Sequence, residues 1–269
     1  MKDFSLKEIV YSGQVFRWEE EGDHFRGIVN GKVYRIKEGE EIVDPYLLSY
    51  FDFDTDYNKI KEVLCCDEVM KKAISSCPGM RIVRQELWET ILSFIISQNN
   101  NIPRIKTLID RISKAYGEEI EEGIYDIPSP SVLAKLDNKD LLDLKFGYRG
   151  EYIIESSKKY IRLGLDKEKD PIAKLKEYAR NSNMTNTEFL MTFKGIGPKV
   201  ANCISLFSLH EIEAFPIDTW VKKVMHRLYD IPINNTKEME AFAKENFKEY
   251  SGIAQQYLFY YIRKLNEIF

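Results

Sequence analysis

The stretch Phe193–Trp220, FKGIGPKVANCISLFSLHEIEAFPIDTW, decides how this 269-residue chain is read. A tight turn, Gly195-Ile196-Gly197-Pro198, leads into a helix that opens at Lys199. Val200, Ile204 and Phe207 give that helix an apolar face, and Cys203 follows the lysine by one turn. An extended Phe215-Pro216-Ile217 then delivers Asp218. Glycines let a backbone turn sharply and approach another chain closely. Proline suits the first helical position, where no N–H is needed. The unpaired N–H groups and positive dipole end of the helix therefore face outward, as a place for a phosphate. With an apolar helix on either side, the stretch reads as a helix–hairpin–helix that grips a nucleic-acid backbone without reading bases.

Lys199 has two readings at this point: a further phosphate contact, or a nucleophile. An unperturbed lysine, with a pKa of about 10.4, is almost wholly protonated at neutral pH. Partial burial against Cys203 and the Val200/Ile204 face would free the amine. Asp218 would favour the cation instead. Its more useful role is to stabilise positive charge developing on a sugar as a base departs. It also precedes Thr219-Trp220-Val221, where it can cap a helix.

Upstream, residues 1–50 read as β-rich. Val15–Trp18, Phe25–Val29 and Val33–Ile36 are strand-like, and Asn30-Gly31 is a two-residue hairpin signal. Ser12-Gly13-Gln14 alone is a plain turn. From about residue 57 the periodicity turns helical, broken at Cys77-Pro78-Gly79. Residues 85–97 form an apolar-faced helix that runs into Gln98-Asn99-Asn100-Asn101. Those asparagines are either a capped helix–helix loop or a wedge of amides that replaces lost base–base hydrogen bonds. Phe146-Gly147-Tyr148-Arg149-Gly150 is a glycine-flanked turn presenting an aromatic ring and a cation. Helices are expected near 151–163, 171–181, 219–229 and 253–268, and Thr185-Asn186-Thr187-Glu188 offers a capping box. The pattern predicts an α+β chain: an N-terminal antiparallel β-sheet domain with flanking helices over 1–78, then a helical region over 79–269. In the latter, about 100–215 holds the hairpin and 79–99 packs with 216–269.

The net charge is −4, and it is uneven. Residues 1–78 hold 11 Lys+Arg against 16 Asp+Glu, and the rest hold 28 against 27. The acid excess is thus N-terminal, and the remainder can still present a local basic face. Cys65, Cys66, Cys77 and Cys203 have neither zinc-pair nor disulfide-framework spacing, so reduced thiols are expected. No cysteine follows Cys203, which removes an iron–sulfur cluster from the C-terminal region. With no apolar run near the roughly 18 residues of a membrane span and no signal-peptide core, the chain reads as cytoplasmic.

Six segments in order closely resemble the 8-oxoguanine DNA glycosylase family of the helix–hairpin–helix–Gly-Pro-Asp superfamily. They are SGQVFRW at 12–18, SQNNNIPRI at 97–105, FGYRGEY at 146–152, KGIGPKVANC at 194–203, PID at 216–218 and AQQYLF at 254–259. The resemblance implies an N-terminal antiparallel β-sheet domain and two mostly α-helical domains with the active site between them. It implies that Lys199 attacks the sugar C1′ and forms a Schiff base that permits β-elimination, with Asp218 as the essential carboxylate. Gly13 matches the residue whose carbonyl accepts the N7–H of 8-oxoguanine, which guanine lacks. Phe259 and Cys203 would sandwich the flipped base, and Gln255 would read its Watson–Crick edge. Asn99 would fill the vacated stack, Tyr148 would wedge beside it, and Arg104 and Arg149 would bond the orphaned cytosine. Gly195, Gly197 and Val200 match backbone phosphate contacts. The implied partner is duplex DNA containing oxidised guanine, bound by a monomer without a required cofactor. A structural cation between hairpin and phosphate is left open.

There are departures. Trp220 stands where eukaryotic members have a histidine near the phosphate, and Gln98 replaces a small residue. The chain is also shorter than those members, which points to a prokaryotic, nucleoid-associated protein. Two alternatives stand beside this reading. One is a superfamily glycosylase for another damaged purine, against which Lys199, the SGQ segment and the Cys203/Phe259 pair all argue. The other is a non-catalytic hairpin DNA-binding protein, in which Asp218 has no chemical role.

Overall fold

The structure, a computed structural model, describes residues 3–268. In chain order it runs α1 (Leu6–Tyr11), β1 (Trp18–Glu21), β2 (His24–Val29), β3 (Lys32–Ile36), α2 (Pro45–Tyr50), α3 (Tyr57–Leu64), α4 (Glu68–Ser76), α5 (Leu87–Ser97) and α6 (Ile102–Tyr116). Next come β4 (Glu119–Glu121), β5 (Ile124–Tyr125), α7 (Pro130–Leu133), α8 (Asn138–Asp143), α9 (Arg149–Arg162), α10 (Pro171–Asn181) and α11 (Asn186–Leu190). The series ends with α12 (Pro198–Phe207), α13 (Thr219–Tyr229), α14 (Thr236–Asn246) and α15 (Ser251–Ile268). An N-terminal antiparallel sheet followed by helices is the expected α+β class. No helix of the described residues is long and apolar enough to cross a membrane.

The chain forms two compact units, each assembled from separated stretches. One contains Met1–Val15, Lys37–Arg84 and Ser205–Phe269, and the other Phe16–Ile36 and Gln85–Ile204. The three-stranded sheet thus falls in the same unit as the middle of the chain, on the other side of the sequence boundary expected at residue 78.

In the first unit, α1 and α2 flank the strand-forming part of residues 1–50, whose strands are confined to 18–36. Ser5 caps α1 by accepting Glu8 N–H, and Asp44 caps α2 with Pro45 in its first turn. Both are helix-start signals that outweigh a few strand-forming side chains. Leu6, Ile9, Phe51, Tyr57, Leu64, Met70, Tyr257 and Leu258 are buried in this unit. At the crossing of Ser5 and Gly79, Ser5 N–H donates to the Gly79 carbonyl at 2.9 Å, and a Cβ at Gly79 would lie 2.5 Å from Ser5 N. Only glycine permits that approach.

In the second unit the strands run β1-β2-β3, antiparallel, with Ile28 opposite Val33 and Val29 opposite Lys32. Asn30 and Gly31 both have positive φ, 49° and 68°, as the type I′ turn requires. Trp18 pairs with Gly27, and its indole lies where a Cβ on Gly27 would be. The expected strand start at Val15 is not formed; the first strand begins at Trp18. Arg17 instead buries its guanidinium between Asp126 and Glu89, at 2.7 and 3.1 Å. The helices around this sheet bury Leu87, Ile91, Leu92, Ile95, Leu108, Ile112, Leu133 and Ile153. The β4–β5 ribbon has no clear signal in the sequence; it is short, and its residues are exposed or half-buried.

Candidate active site

The hairpin is built as its residues dictate. Thr185 and Glu188 form the capping box of α11, which ends just before the turn. Ile196 N–H returns to the Phe193 carbonyl at 3.2 Å, and Gly195 takes φ 78°. A Cβ on Gly195 would fall 2.2 Å from the Tyr152 ring, so this glycine is required by both angle and space. Ser156 Oγ of α9 holds the Lys194 carbonyl at 3.2 Å. Gly197 differs: nothing lies within 4 Å of a Cβ there, so its openness faces away from the protein.

Pro198 starts α12 and Lys199 follows, half-buried, with its Nζ 5.3 Å from the centroid of the Phe94 ring. A ring face attracts and orients a cationic amine. Phe94 is itself buried and meets Phe16 edge-on at 5.7 Å. Val200 and Cys203 are both 4 % exposed, with Cys203 one turn beyond Lys199 as anticipated. All four cysteines are thiols. Burial pushes the Cys77 thiol up to about 12, far from a reactive thiolate.

The asparagine run satisfies the local reading and presents the other residues as well. Asn101 caps α6 by accepting Arg104 N–H at 3.0 Å. Asn99 takes φ 51° and its amide donates to the Tyr148 hydroxyl at 3.2 Å, both side chains being exposed. Thus the two residues assigned to the vacated stack are neighbours. Arg149 is only 9 % exposed. Its guanidinium donates to the Gln98 carbonyl through Nε at 2.8 Å and also through Nη2, and stacks over Tyr148 at 4.6 Å. Arg104 is exposed, with one long bond of 3.4 Å to the Lys145 carbonyl. The two arginines therefore differ: one is tied into the fold and the other stands at the surface.

In the other unit, Asp218 caps α13. Its Oδ1 accepts the N–H groups of Trp220 and Val221 at 2.9 and 2.8 Å. The capping role foreseen from sequence is real, and it coexists with any charge role. Lys223 Nζ sits 4.5 Å from the Trp220 ring centroid. Gly13 has φ 81° and is half-buried in the turn after α1. Gln255 on α15 is 4 % exposed and its Oε1 has no partner, an orphaned acceptor of the kind a ligand N–H completes. Phe259, one turn on, carries Arg263 over its ring at 5.4 Å. Sequence reasoning did not single out Phe94, Gln14, Gln256 or Arg263. Phe94 reads as one more apolar residue of α5, and only its contact with Lys199 marks it. Among the described residues, no group of three or more His, Cys, Asp or Glu could hold a metal ion.

Residues 1–91 match the family described as 8-oxoguanine DNA glycosylase, N-terminal domain. Residues 92–249 match the HhH-GPD superfamily base excision DNA repair protein family. An N-glycosylase/DNA lyase of Saccharomyces cerevisiae is 30% identical over 246 residues, 88% of this chain and 64% of that protein. The chain thus spans just under two thirds of that relative's length. A probable N-glycosylase/DNA lyase of Methanothermobacter thermautotrophicus is 27% identical, with 97% of this chain and 94% of the relative covered. Among solved structures, the Clostridium acetobutylicum 8-oxoguanine glycosylase/lyase, in complex with double-stranded DNA containing cytosine opposite 8-oxoG, superposes with a TM-score of 0.86. It is 36% identical, covering 99% of this chain and 94% of that one. On these matches the chain belongs to the 8-oxoguanine DNA glycosylase family, within the helix–hairpin–helix superfamily of base excision DNA repair proteins.

Proposed function

We propose that the chain is a bifunctional DNA glycosylase and abasic-site lyase that removes 8-oxoguanine opposite cytosine from duplex DNA. The observation that carries this reading is Lys199: a lysine at the opening of the hairpin helix, its amine held on the Phe94 ring. A hairpin that only grips phosphates has no need of an amine placed in this way.

In the proposed reaction the neutral amine attacks the sugar C1′ as the bond from C1′ to the base breaks. The electron pair leaves with the base, which takes up a proton, and Asp218 stabilises the positive charge that develops on the sugar. Opening of the sugar and loss of a proton from nitrogen give the Schiff base to Lys199. Removal of a C2′ proton then expels the 3′ phosphate, which cuts the strand, and water releases the enzyme. Gly13, Gln255 and Phe259 recognise the base by carbonyl, amide edge and ring face, with Cys203 as a further base contact. A carbonyl that bonds the N7–H of 8-oxoguanine is left unpaired by guanine, and that asymmetry provides discrimination.

Asn99 and Tyr148 occupy the emptied stack, and Arg104 with Arg149 reads cytosine. Gly195, Gly197 and Val200 present backbone groups to phosphate. One copy carries every group used, so a monomer suffices, and no step needs a cofactor. Residues 193–198 have no side-chain oxygen, so a structural cation there would rest on backbone carbonyls and phosphate, and would add only to the grip.

The test is reduction by borohydride in the presence of a duplex with one 8-oxoguanine opposite cytosine. A covalent adduct that disappears in Lys199→Gln is expected. No adduct with the wild-type chain defeats the proposal.

A further inference from the structure

The turn that carries Gly13 is held by hydrogen bonds that no part of the proposed chemistry uses. Ser12 Oγ donates to the Ile9 carbonyl at 2.7 Å. Gln14 is fully buried and bonds through both ends of its amide: Nε2 donates to the Arg81 carbonyl and Oε1 accepts Val83 N–H, both at 2.9 Å. From α15, Gln256 Nε2 donates to the Ser12 carbonyl at 2.8 Å, and Arg263 Nη1 donates to the Tyr11 carbonyl at 3.0 Å. Gln256 is 2 % exposed.

Peptide planarity turns these bonds into an aim. The Ser12 carbonyl lies in the peptide plane that enters Gly13, so Gln256 fixes that plane. The Gly13 carbonyl shares a plane with Gln14 N–H, which points to Ser12 Oγ at 3.4 Å. Gly13 is the one residue between the two planes, at φ 81°, and as a glycine it resists rotation least. Without the bond from Gln256, the entering plane is free to turn and the carbonyl loses its direction.

We propose that Gln256 is a positioning residue for base discrimination, acting through the Ser12–Gly13 peptide to aim the Gly13 carbonyl. Its neighbour Gln255 points elsewhere on the same helix, since successive residues project about 100° apart. One turn of α15 therefore supplies both the amide assigned to the base and the amide that holds the base-recognising turn. The inference rests on the glycosylase reading above.

The experiment compares two single-turnover rates in Gln256→Met, which keeps the length of the side chain and removes its donor. One is excision of 8-oxoguanine opposite cytosine. The other is cleavage at a preformed abasic site opposite cytosine, which needs Lys199 but no base recognition. Excision is expected to fall roughly tenfold or more, as for loss of a bond to a buried carbonyl. Abasic-site cleavage is expected to stay within about twofold. Equal loss of both rates, or loss of neither, overturns the inference. Gln256→Leu, which also lacks the donor, decides the matter by the same split of rates if Gln256→Met does not fold. A wild-type chain that cleaves abasic DNA but leaves 8-oxoguanine in place refutes the glycosylase reading instead, so the two failures are distinguishable.

Discussion

Asp218 Oδ1 accepts Val221 N–H at 2.8 Å, and Trp220 N–H at 2.9 Å, so this carboxylate is a helix cap whatever else it does. Asparagine caps about as well as aspartate but carries no charge. Asp218→Asn is therefore expected to melt close to wild type and to bind duplex DNA normally. Excision should fall by roughly a hundredfold or more, the scale of losing an electrostatic group at a developing charge. Asp218→Ala should cost about 1 kcal/mol of stability besides. Thermal melting and single-turnover excision separate the two roles, and full turnover in Asp218→Asn would leave the residue with capping alone.

The two hairpin glycines should respond differently to alanine. At Gly195 a Cβ would fall 2.2 Å from the Tyr152 ring, on a backbone with φ 78°. Gly195→Ala is expected to lower the melting temperature and weaken DNA binding. Trimming Tyr152 should restore only part of this, because the φ strain of about 1 kcal/mol or more remains. Gly197 has nothing within 4 Å of the same atom. Gly197→Ala should therefore melt like wild type and still bind DNA more weakly, to damaged and undamaged duplex alike. Unchanged affinity in Gly197→Ala would show that no DNA backbone comes close at this position.

The family resemblance pairs Arg104 and Arg149 as contacts to the orphaned cytosine, but their surroundings differ. Arg149 is buried, donates to the Gln98 carbonyl and stacks on Tyr148. Arg149→Ala should leave that carbonyl and ring unsupported and destabilise the protein by roughly 1–3 kcal/mol. Arg104 is exposed, so Arg104→Ala should stay within about 0.5 kcal/mol of wild type. Its effect should appear instead as relaxed preference for cytosine opposite the lesion. Melting curves, together with excision opposite each of the four bases, test both statements. An Arg104→Ala enzyme that still prefers cytosine as strongly as wild type would remove Arg104 from that role.

What the sequence disclosed follows the range of the interactions involved. The hairpin, the Asn30-Gly31 turn, the Thr185/Glu188 box and the Asp218 cap are all local, with both partners within a few residues. They are legible because glycine, proline and short polar side chains have narrow conformational meanings. The helices α1 and α2 are marked in the same local way by their caps, Ser5 and Asp44-Pro45. The second kind of information was not local. Gln256 meets Ser12 across 244 residues, and the pattern AQQYLF does not say which glutamine faces which partner. Likewise Phe94 is one apolar residue among many until Lys199 is placed over it. The family resemblance assigns roles to residues, and only packing shows what holds each of them in place.

Asp52 gives a prediction in which pH is the variable. It is fully buried at φ 56° and accepts from Arg84 Nη2 at 2.6 Å, Thr55 Oγ1 at 2.9 Å and Tyr57 Oη at 3.1 Å, with His210 Nε2 at 3.3 Å. Burial by itself raises the pKa of this carboxyl. The hydrogen bond and charge of His210, then the bonds from Arg84 and Thr55, more than offset it, and the group ends below its ordinary value. A depressed carboxylate contributes stability that is present above its unfolded pKa of about 3.9 and is lost as pH falls through the lower folded value. The contribution should thus be whole at pH 7 and fade only below about pH 4. Asp52→Asn removes the charge and leaves Arg84 and His210 without it, at a cost of roughly 1–3 kcal/mol, because the Arg84 side chain is 37 % exposed and water takes up part of its charge. The difference in unfolding free energy between wild type and Asp52→Asn should therefore be large at pH 7 and shrink as the pH is lowered from 5 toward 3. Urea unfolding at each pH measures it. A difference that stays constant over that range would mean that shape and hydrogen bonding, not the charge of Asp52, tie His210 and Arg84 together.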